Sequence, residues 1–385
     1  MLKREIAKKV LGASCVLVLG ATLAAGLWPF NPFPRNEARW LGNENGLDLR
    51  DGAIVISTTA FAPKGPSPES SSALEIWLEP ARSFTTSTIL SFYHPADGYQ
   101  FKVAQYQDSL ILRQAPRDDP RQKYEVSILI SHLFKSGGRK FISITSTSTG
   151  TSVFVDGTLM KTSSRLRLSE ADTSGELTLG TSPVYNSSWS GQLYGLAVYD
   201  RSITADQVLK DFQSWLKNGR PEVGPADAPT ALYLFDERSG NEIQNLGSSG
   251  DDLYIPRYFR IPHQKFLEEP WDEFRANRDY AFDLAINVLG FVPLGFVLCL
   301  YLRTTGTSSN PKLSTVVVGF GVSLLIEVLQ AFLPTRASGI TDLITNTTGS
   351  ALGVYLSGRH VTGIILARLG ISIEERELAH PERDE

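Results

Sequence analysis

Three apolar stretches near the C-terminus carry polar side chains of the kind that bind ligands or move protons: Asp283 and Asn287, then Glu327 and Gln330, then Asp342 and Asn346. A charged group at mid-bilayer costs on the order of 3 kcal/mol, so ionisable residues in such stretches face a packed interior or a water-filled path. Asp283 and Asn287 are four residues apart and Glu327 and Gln330 three apart, so each pair shares a helix face. Asp342, Asn346, Gly349 and Gly353 follow one stripe, and the two glycines form a small-xxx-small surface for close helix contact. Pro293 is expected to bend the first of these helices. This arrangement predicts six polar side chains at similar depth in the outer leaflet, near Arg336 in the turn connecting the second and third stretches. Such a cluster suits the binding of a polar group, or acid–base work by Glu327 or Asp342. The plainer alternative is a set of interhelical hydrogen bonds worth about 0.6 kcal/mol each.

The elements that must position these residues are membrane helices. Spans are expected at 284–302, 313–333 and 340–357, each reaching roughly 27 to 31 Å at about 1.5 Å per residue. An earlier apolar run, 10–28, follows Lys3, Arg4, Lys8 and Lys9, and reads as a signal peptide or an anchor. Its length, its aromatic exit at Trp28-Pro29-Phe30 and the lack of a small-x-small cleavage site favour the anchor. Basic residues at the N-terminus, at Arg303 and Lys312, and at Arg359 and Arg368 put both termini in the cytoplasm. Residues 31 to about 280 are then expected outside the cytoplasmic membrane.

Bulk composition excludes several classes. At 42% hydrophobic, 20% charged and net charge −4, the 385-residue chain shows no concentrated basic surface, which argues against a nucleic-acid partner. The two cysteines, Cys15 and Cys299, both fall in apolar stretches, and the five histidines are scattered, so no zinc site or disulfide is indicated. No cofactor is expected other than calcium in the β-rich part, for which Asp156 is the candidate ligand.

Between the first and second spans the pattern changes to short alternating runs bounded by turn residues. Strands are expected at 53–57, 74–78, 88–92, 99–105, 110–113, 125–130, 140–145, 152–155, 176–179 and 192–199, a spacing that means an all-β sandwich. Thr204 and Gln207 resemble a capping box opening a helix at 205–216, with Val208, Leu209, Phe212 and Leu216 as its buried stripe. Asp156-Gly157 is a hairpin dipeptide, and Asp156 is either a turn residue or a calcium ligand. Tyr93, Tyr99, Trp189 and Tyr194 are either core or platforms for sugar rings.

Several ordered motifs carry a resemblance. Ala73-Leu74-Glu75-Ile76-Trp77-Leu78-Glu79-Pro80, Phe154-Val155-Asp156-Gly157, Leu177-Thr178-Leu179-Gly180 and Trp189 to Tyr199 resemble the laminin-G, concanavalin-A-like jelly roll over about 38–217. Domains of that kind bind glycans or protein ligands, some through calcium. Leu232 to Gly240 is similar to an opening strand of such domains. It either closes the sandwich late or begins an extended return to the membrane, within a 218–280 segment. Asp283 to Phe296, Glu327-Val328-Leu329-Gln330 and Pro334 to Gly353 resemble the VanZ-like membrane proteins over 281–360. The expected architecture is a multidomain membrane protein: an anchor within 1–31, an all-β jelly roll, an all-α bundle of about four transmembrane helices, and a cytoplasmic tail at 361–385.

The family resemblance implies a bacterial cell-envelope protein; the family's namesake is associated with reduced susceptibility to teicoplanin. It transfers the pattern at Asn287, Glu327, Gln330, Arg336, Asp342 and Asn346 without assigning a catalytic role. Implied partners are membrane lipids and an envelope glycan, a lipid-linked precursor or a protein ligand. An intramembrane enzyme acting on lipid-linked precursors, and a structural anchor displaying an adhesive domain, are the alternatives.

Overall fold

The computed structural model describes residues 2–61, 71–96, 98–116, 124–221, 228–248, 251–274 and 278–358. Two compact units emerge, one formed by Phe33–Gln264 and the other by Met1–Pro32 with Lys265–Glu385. The expected tail at 361–385 lies outside the described residues.

The Phe33–Gln264 unit is an antiparallel sandwich. One sheet runs β1 (Ala38–Trp40), β2 (Leu47–Leu49), β13 (Gly191–Tyr199), β4 (Ser72–Pro80), β9 (Lys140–Thr147), β10 (Gly150–Val155) and β11 (Thr158–Ser163), with β14 (Ala231–Tyr233) also paired to β13. The other runs β15 (Glu242–Ile243), β16 (Leu253–Tyr254), β3 (Val55–Ser57), β12 (Glu176–Leu179), β5 (Thr85–His94), β6 (Gly98–Gln107), β7 (Ser109–Gln114) and β8 (Val126–Ile130). Leu74, Ile76 and Leu78 point between the sheets with Phe92, Leu112 and Leu177, as the period of two requires. Leu232 pairs with Ala197 in β13, and β16 pairs with β3, so residues after 230 add strands to both sheets. The sandwich therefore continues beyond the boundary expected at 217.

The outer face of the first sheet is covered by α2 (Ala205–Asn218). Thr204 caps it by accepting the Gln207 N–H at 3.2 Å, but the Gln207 side chain turns forward to Asp211 at 2.9 Å instead of completing a capping box. The buried stripe is Val208, Asp211 and Trp215, while Leu209 and Leu216 are exposed, a rotation of about one residue from the expected face. Trp215 sets that rotation. It packs edge-on against Trp77 with ring centroids 5.8 Å apart, and Gly195 beneath it leaves no room for a Cβ. Glu75 and Asp211 are both fully buried in this layer. Burial holds the Glu75 carboxyl well above its ordinary pKa, the Asp211 charge pushes the same way, and the hydrogen bond from the Tyr199 hydroxyl at 3.1 Å only partly opposes them.

The second unit consists of α1 (Leu2–Leu27), α3 (Pro270–Glu273), α4 (Arg278–Thr305), α5 (Pro311–Gln330) and α6 (Ile340–Ser357). Lys8–Leu27, Tyr280–Thr305 and Pro311–Gln330 are long and apolar enough to cross a membrane. Helix α6 matches the expected 340–357 but is more polar than those three, because it packs on both α4 and α5 and buries its polar stripe against them. Pro293 lies inside α4, which continues as one helix to Thr305.

Candidate functional site

The polar cluster is built around the N-terminal end of α6. Asn310 caps α5 by accepting the Leu313 N–H at 3.2 Å, with Pro311 at the first helical position, and the helix then delivers Glu327 to the interior at 1% exposure. The turn after α5 folds back through Leu333 N–H to Gln330 O at 2.8 Å and Arg336 N–H to Leu333 O at 2.9 Å. That return brings Gly339, the residue before α6, over the Glu327 carboxylate, whose Oε2 accepts the Gly339 N–H at 2.8 Å. Helix N-termini present unpaired N–H groups and a positive dipole end, so a carboxylate there is favoured.

A second carboxylate serves the same end. Glu273 of α3 accepts the Thr341 N–H at 3.3 Å and lies so close to Gly339 that a Cβ at 339 would collide with it. Burial raises the Glu273 pKa, and the Thr341 hydrogen bond offsets part of that. The strand-like stretch before α3 is held to the same turn, with Glu268 N–H to Ser338 O at 2.9 Å and Ile340 N–H to Glu268 O at 3.0 Å. Gly339 thus sits where two acidic side chains and a neighbouring backbone converge. Glycine fits because no side chain could.

Asp342, in the first turn of α6 and half-buried, accepts the Asn287 amide at 2.6 Å, which ties α4 to α6. Glu273, Asp283 and Arg336 lie within electrostatic reach of Asp342. Asp283 is exposed and Arg336 half-buried, so these two and Asp342 form a rim in front of the enclosed Glu327. Glu327 Oε1 is buried with no hydrogen-bond partner of normal geometry among the described residues.

The structure therefore brings together Asp283, Asn287, Glu327, Arg336 and Asp342. Gln330 and Asn346 are engaged elsewhere. Gln330 donates to Gly26 O of α1 at 2.8 Å, and Asn346 donates to Ser323 Oγ of α5 at 3.0 Å. Both fasten helices to one another. Gly349 and Gly353 let α6 approach α4 closely: a Cβ on Gly349 would meet Val288 O and come within 3.0 Å of Phe291 Cβ, and one on Gly353 would meet Val292 O. Gly295 and Gly319 do the same from α4 and α5 against Ser350, and neither was evident as an interface residue from sequence. Glu273 and Ser338 were also missed. Glu273 sits in a short polar segment, and only the chain reversal at 331–339 brings it to α6.

The sandwich candidates divide differently. Asp156 and Gly157 both have positive φ, 50° and 77°, at the β10–β11 hairpin, and Asp156 Oδ1 accepts the Phe141 N–H at 2.9 Å. One carboxylate oxygen is thereby committed to the fold, and among the described residues no group of three or more His, Cys, Asp or Glu is placed to hold a metal. Trp189 is fully buried and donates to Gln105 Oε1 at 3.0 Å, so it is core and not a sugar platform. Tyr93 is 7% exposed and stacks on His263 with centroids 4.4 Å apart. Tyr194 lies under the Arg139 guanidinium at 4.0 Å, and Tyr99 under the Lys102 ammonium at 4.2 Å while bonding Glu125.

Comparison with known proteins gives two family matches, one of which begins within the sandwich unit and runs through the helices. Residues 234–360 match the VanZ/LLP1 family, and residues 52–209 match the concanavalin A-like lectin/glucanases superfamily. Protein VanZ of Enterococcus faecium is 39% identical over 72 residues, 19% of this chain and 42% of that protein's length. Among solved structures, the binding domain of Paraclostridial Mosquitocidal Protein 1 shares 14% identity at a TM-score of 0.37, covering 48% of this chain and 47% of that one. The botulinum neurotoxin serotype D ligand-binding domain in complex with N-acetylneuraminic acid shares 10% identity at a TM-score of 0.36, covering 58% and 72%. The SAP-like pentraxin of Limulus polyphemus shares 16% identity at 0.35, covering 59% and 94%. A VanZ-like membrane unit and a concanavalin-A-like sandwich share this one chain.

Proposed function

Starting from a VanZ-like membrane unit joined to a lectin-like sandwich, we propose that this is a bacterial cell-envelope protein whose helical unit binds the polar head group of an amphiphilic or lipid-linked envelope molecule. The sandwich, held outside the cytoplasmic membrane with both termini inside, recognises an envelope glycan or protein. The observation that carries this reading is Glu327: a carboxylate at 1% exposure whose polar neighbours are the Gly339 N–H, the Ser338 side chain and a second acid, Asp342. Packing alone does not call for it, because an apolar side chain of similar volume would avoid the cost of burying an incompletely paired acid. Asp283, Asp342 and Glu273 outnumber Arg336, so the rim suits a head group rich in hydroxyl, amide or ammonium donors.

The test uses a deletion strain complemented with wild type, Glu327→Gln, Arg336→Ala or Asp342→Asn at matched membrane abundance. Teicoplanin susceptibility is measured in the strains, and binding of labelled envelope lipids is measured on the purified proteins in nanodiscs. Loss of lipid binding and of the envelope phenotype in the variants supports the reading, whereas full retention by all three removes it. Conversion of the labelled lipid to a product that Glu327→Gln abolishes would instead make the unit an intramembrane enzyme.

A further inference from the structure

The sandwich unit carries a groove that none of the residues discussed so far explains. It lies along the outer face of α2, has a volume of about 680 Å³, and is lined by Lys210, Gln213, Lys217, Asn218 and Arg220 with Leu232 of β14 at its side. None of the described residues that line it is acidic. Lys210, Gln213 and Lys217 are three and four residues apart, which puts them on one face of the helix. The chain then reverses at Gly219, with φ 67°, and the Ser214 hydroxyl donates to Arg220 O at 2.8 Å, fixing the backbone of Arg220 beside the same face.

The groove is rigid on its inner side. Trp215 is wedged over Gly195 and against Trp77, so α2 cannot roll on the sheet. Among the described residues none forms an ion pair with Lys210, Lys217 or Arg220, whereas Arg50, Arg82, Arg113 and Arg139 of the same unit each meet an acid. Lys217, in the last turn, complements the negative end of the helix dipole. That account does not extend to Lys210, two turns earlier and roughly 10 Å away along the axis.

We propose that this groove binds a polyanionic glycan of the envelope, one that carries carboxylate or phosphate on successive repeats. The roughly 10 Å spread of the cations lets a polymer engage them together, whereas a single small anion reaches only one end. Gln213 and Asn218 supply amide groups for hydroxyls between the charges, and Leu232 offers an apolar edge for a sugar ring. The proposal rests on the sandwich facing the envelope and names the ligand class for its recognition role. It is independent of the head-group site at Glu327.

The experiment uses the full chain in nanodiscs of zwitterionic lipid, with oligogalacturonate as the carboxylate probe, polyphosphate as the phosphate probe and a neutral β-glucan oligomer as control. Wild type should bind at least one of the anionic polymers, more weakly as salt is raised, and should ignore the neutral one. The better of the two probes identifies the anion. Lys210→Gln/Lys217→Gln/Arg220→Gln should weaken binding at least tenfold. A triple variant of equal charge change elsewhere in the unit, Lys135→Gln/Arg165→Gln/Arg260→Gln, should keep it within twofold. Equal losses in both triples would reduce the effect to net charge and overturn the site. Absence of polyanion binding by wild type would overturn it as well, while binding of the neutral glucan alone would leave glycan recognition standing and place it elsewhere. Lipid binding by Glu327→Gln, read on the same preparations, reports separately on the membrane unit.

Discussion

The sharpest consequence of the helical packing is that Gly353 cannot gain even a methyl group. A Cβ built there lies 2.6 Å from Phe296 N and 2.9 Å from Gly295 C, all backbone, where ordinary contact begins at 3.4 Å. The shortfall at Phe296 N is 0.8 Å, and no rotamer can absorb it because the opposing atoms are main chain of α4. In Gly353→Ala the helices must therefore separate, which costs about 1–3 kcal/mol as overpacking. It also strains the 2.6 Å hydrogen bond between Asn287 and Asp342 that spans the same pair. Alanine recovers up to about 1 kcal/mol of helix propensity. Gly290→Ala on α4 recovers the same propensity where a Cβ meets nothing within 4 Å, so the difference between the two variants isolates the packing cost. Cys299 is buried in α4, which suits thermal labelling with a thiol-reactive dye in a Cys15→Ala background. Gly353→Ala should label at a midpoint several degrees below Gly290→Ala, given roughly 2–8 °C per kcal/mol for domains of this size range. Equal midpoints would refute the close approach of α4 and α6 and, with it, the geometry that puts Asp342 beside Asn287.

Two further expectations concern the sandwich. Glu75 has its pKa raised by burial and by the Asp211 charge, so the folded state holds a proton that the unfolded chain releases above about pH 4.5. The stability it contributes is fully present below that pH and falls as pH rises toward the folded value. Thermal melts followed by the fluorescence of neighbouring Trp77 and Trp215 should flatten with pH in Glu75→Gln, and an unchanged slope would show that Glu75 is ionised in the fold. Asp156→Ala should cost about 1 kcal/mol in denaturant unfolding through loss of the Phe141 N–H partner, and Asp156→Asn, which still accepts that bond and tolerates positive φ, much less. A calcium-dependent melting temperature that Asp156→Asn abolishes would instead make Asp156 a ligand.

Much of the architecture was legible because it depends on near neighbours. The period-two runs marked most strands of the sandwich, and the 340–357 span agrees with α6 residue for residue, since both patterns are set by which side chains must leave water or meet a partner helix. Short or exposed strands gave no such signal. β11 has almost no buried residue, and β15 and β16 are two residues each, β16 being held by pairing to the distant β3, whereas β14 falls at the start of the Leu232 to Gly240 motif and closes the sandwich late.

The candidate site divides along the same line. Residue type and spacing alone identified Asp283, Asn287, Glu327, Gln330, Arg336, Asp342 and Asn346 as out of place in apolar helices, because the cost of burying a polar group is a property of the residue and its segment. What each one does was decided by tertiary structure. The fold-back at 331–339 aims Gly339 N–H at Glu327 and admits Glu273 from a segment whose composition hides it, while helix contacts divert Gln330 to Gly26 and Asn346 to Ser323. Hydrogen bonds act over about 3 Å. Sequence spacing fixes such distances within one helix, and only the packing of helices against each other fixes them between.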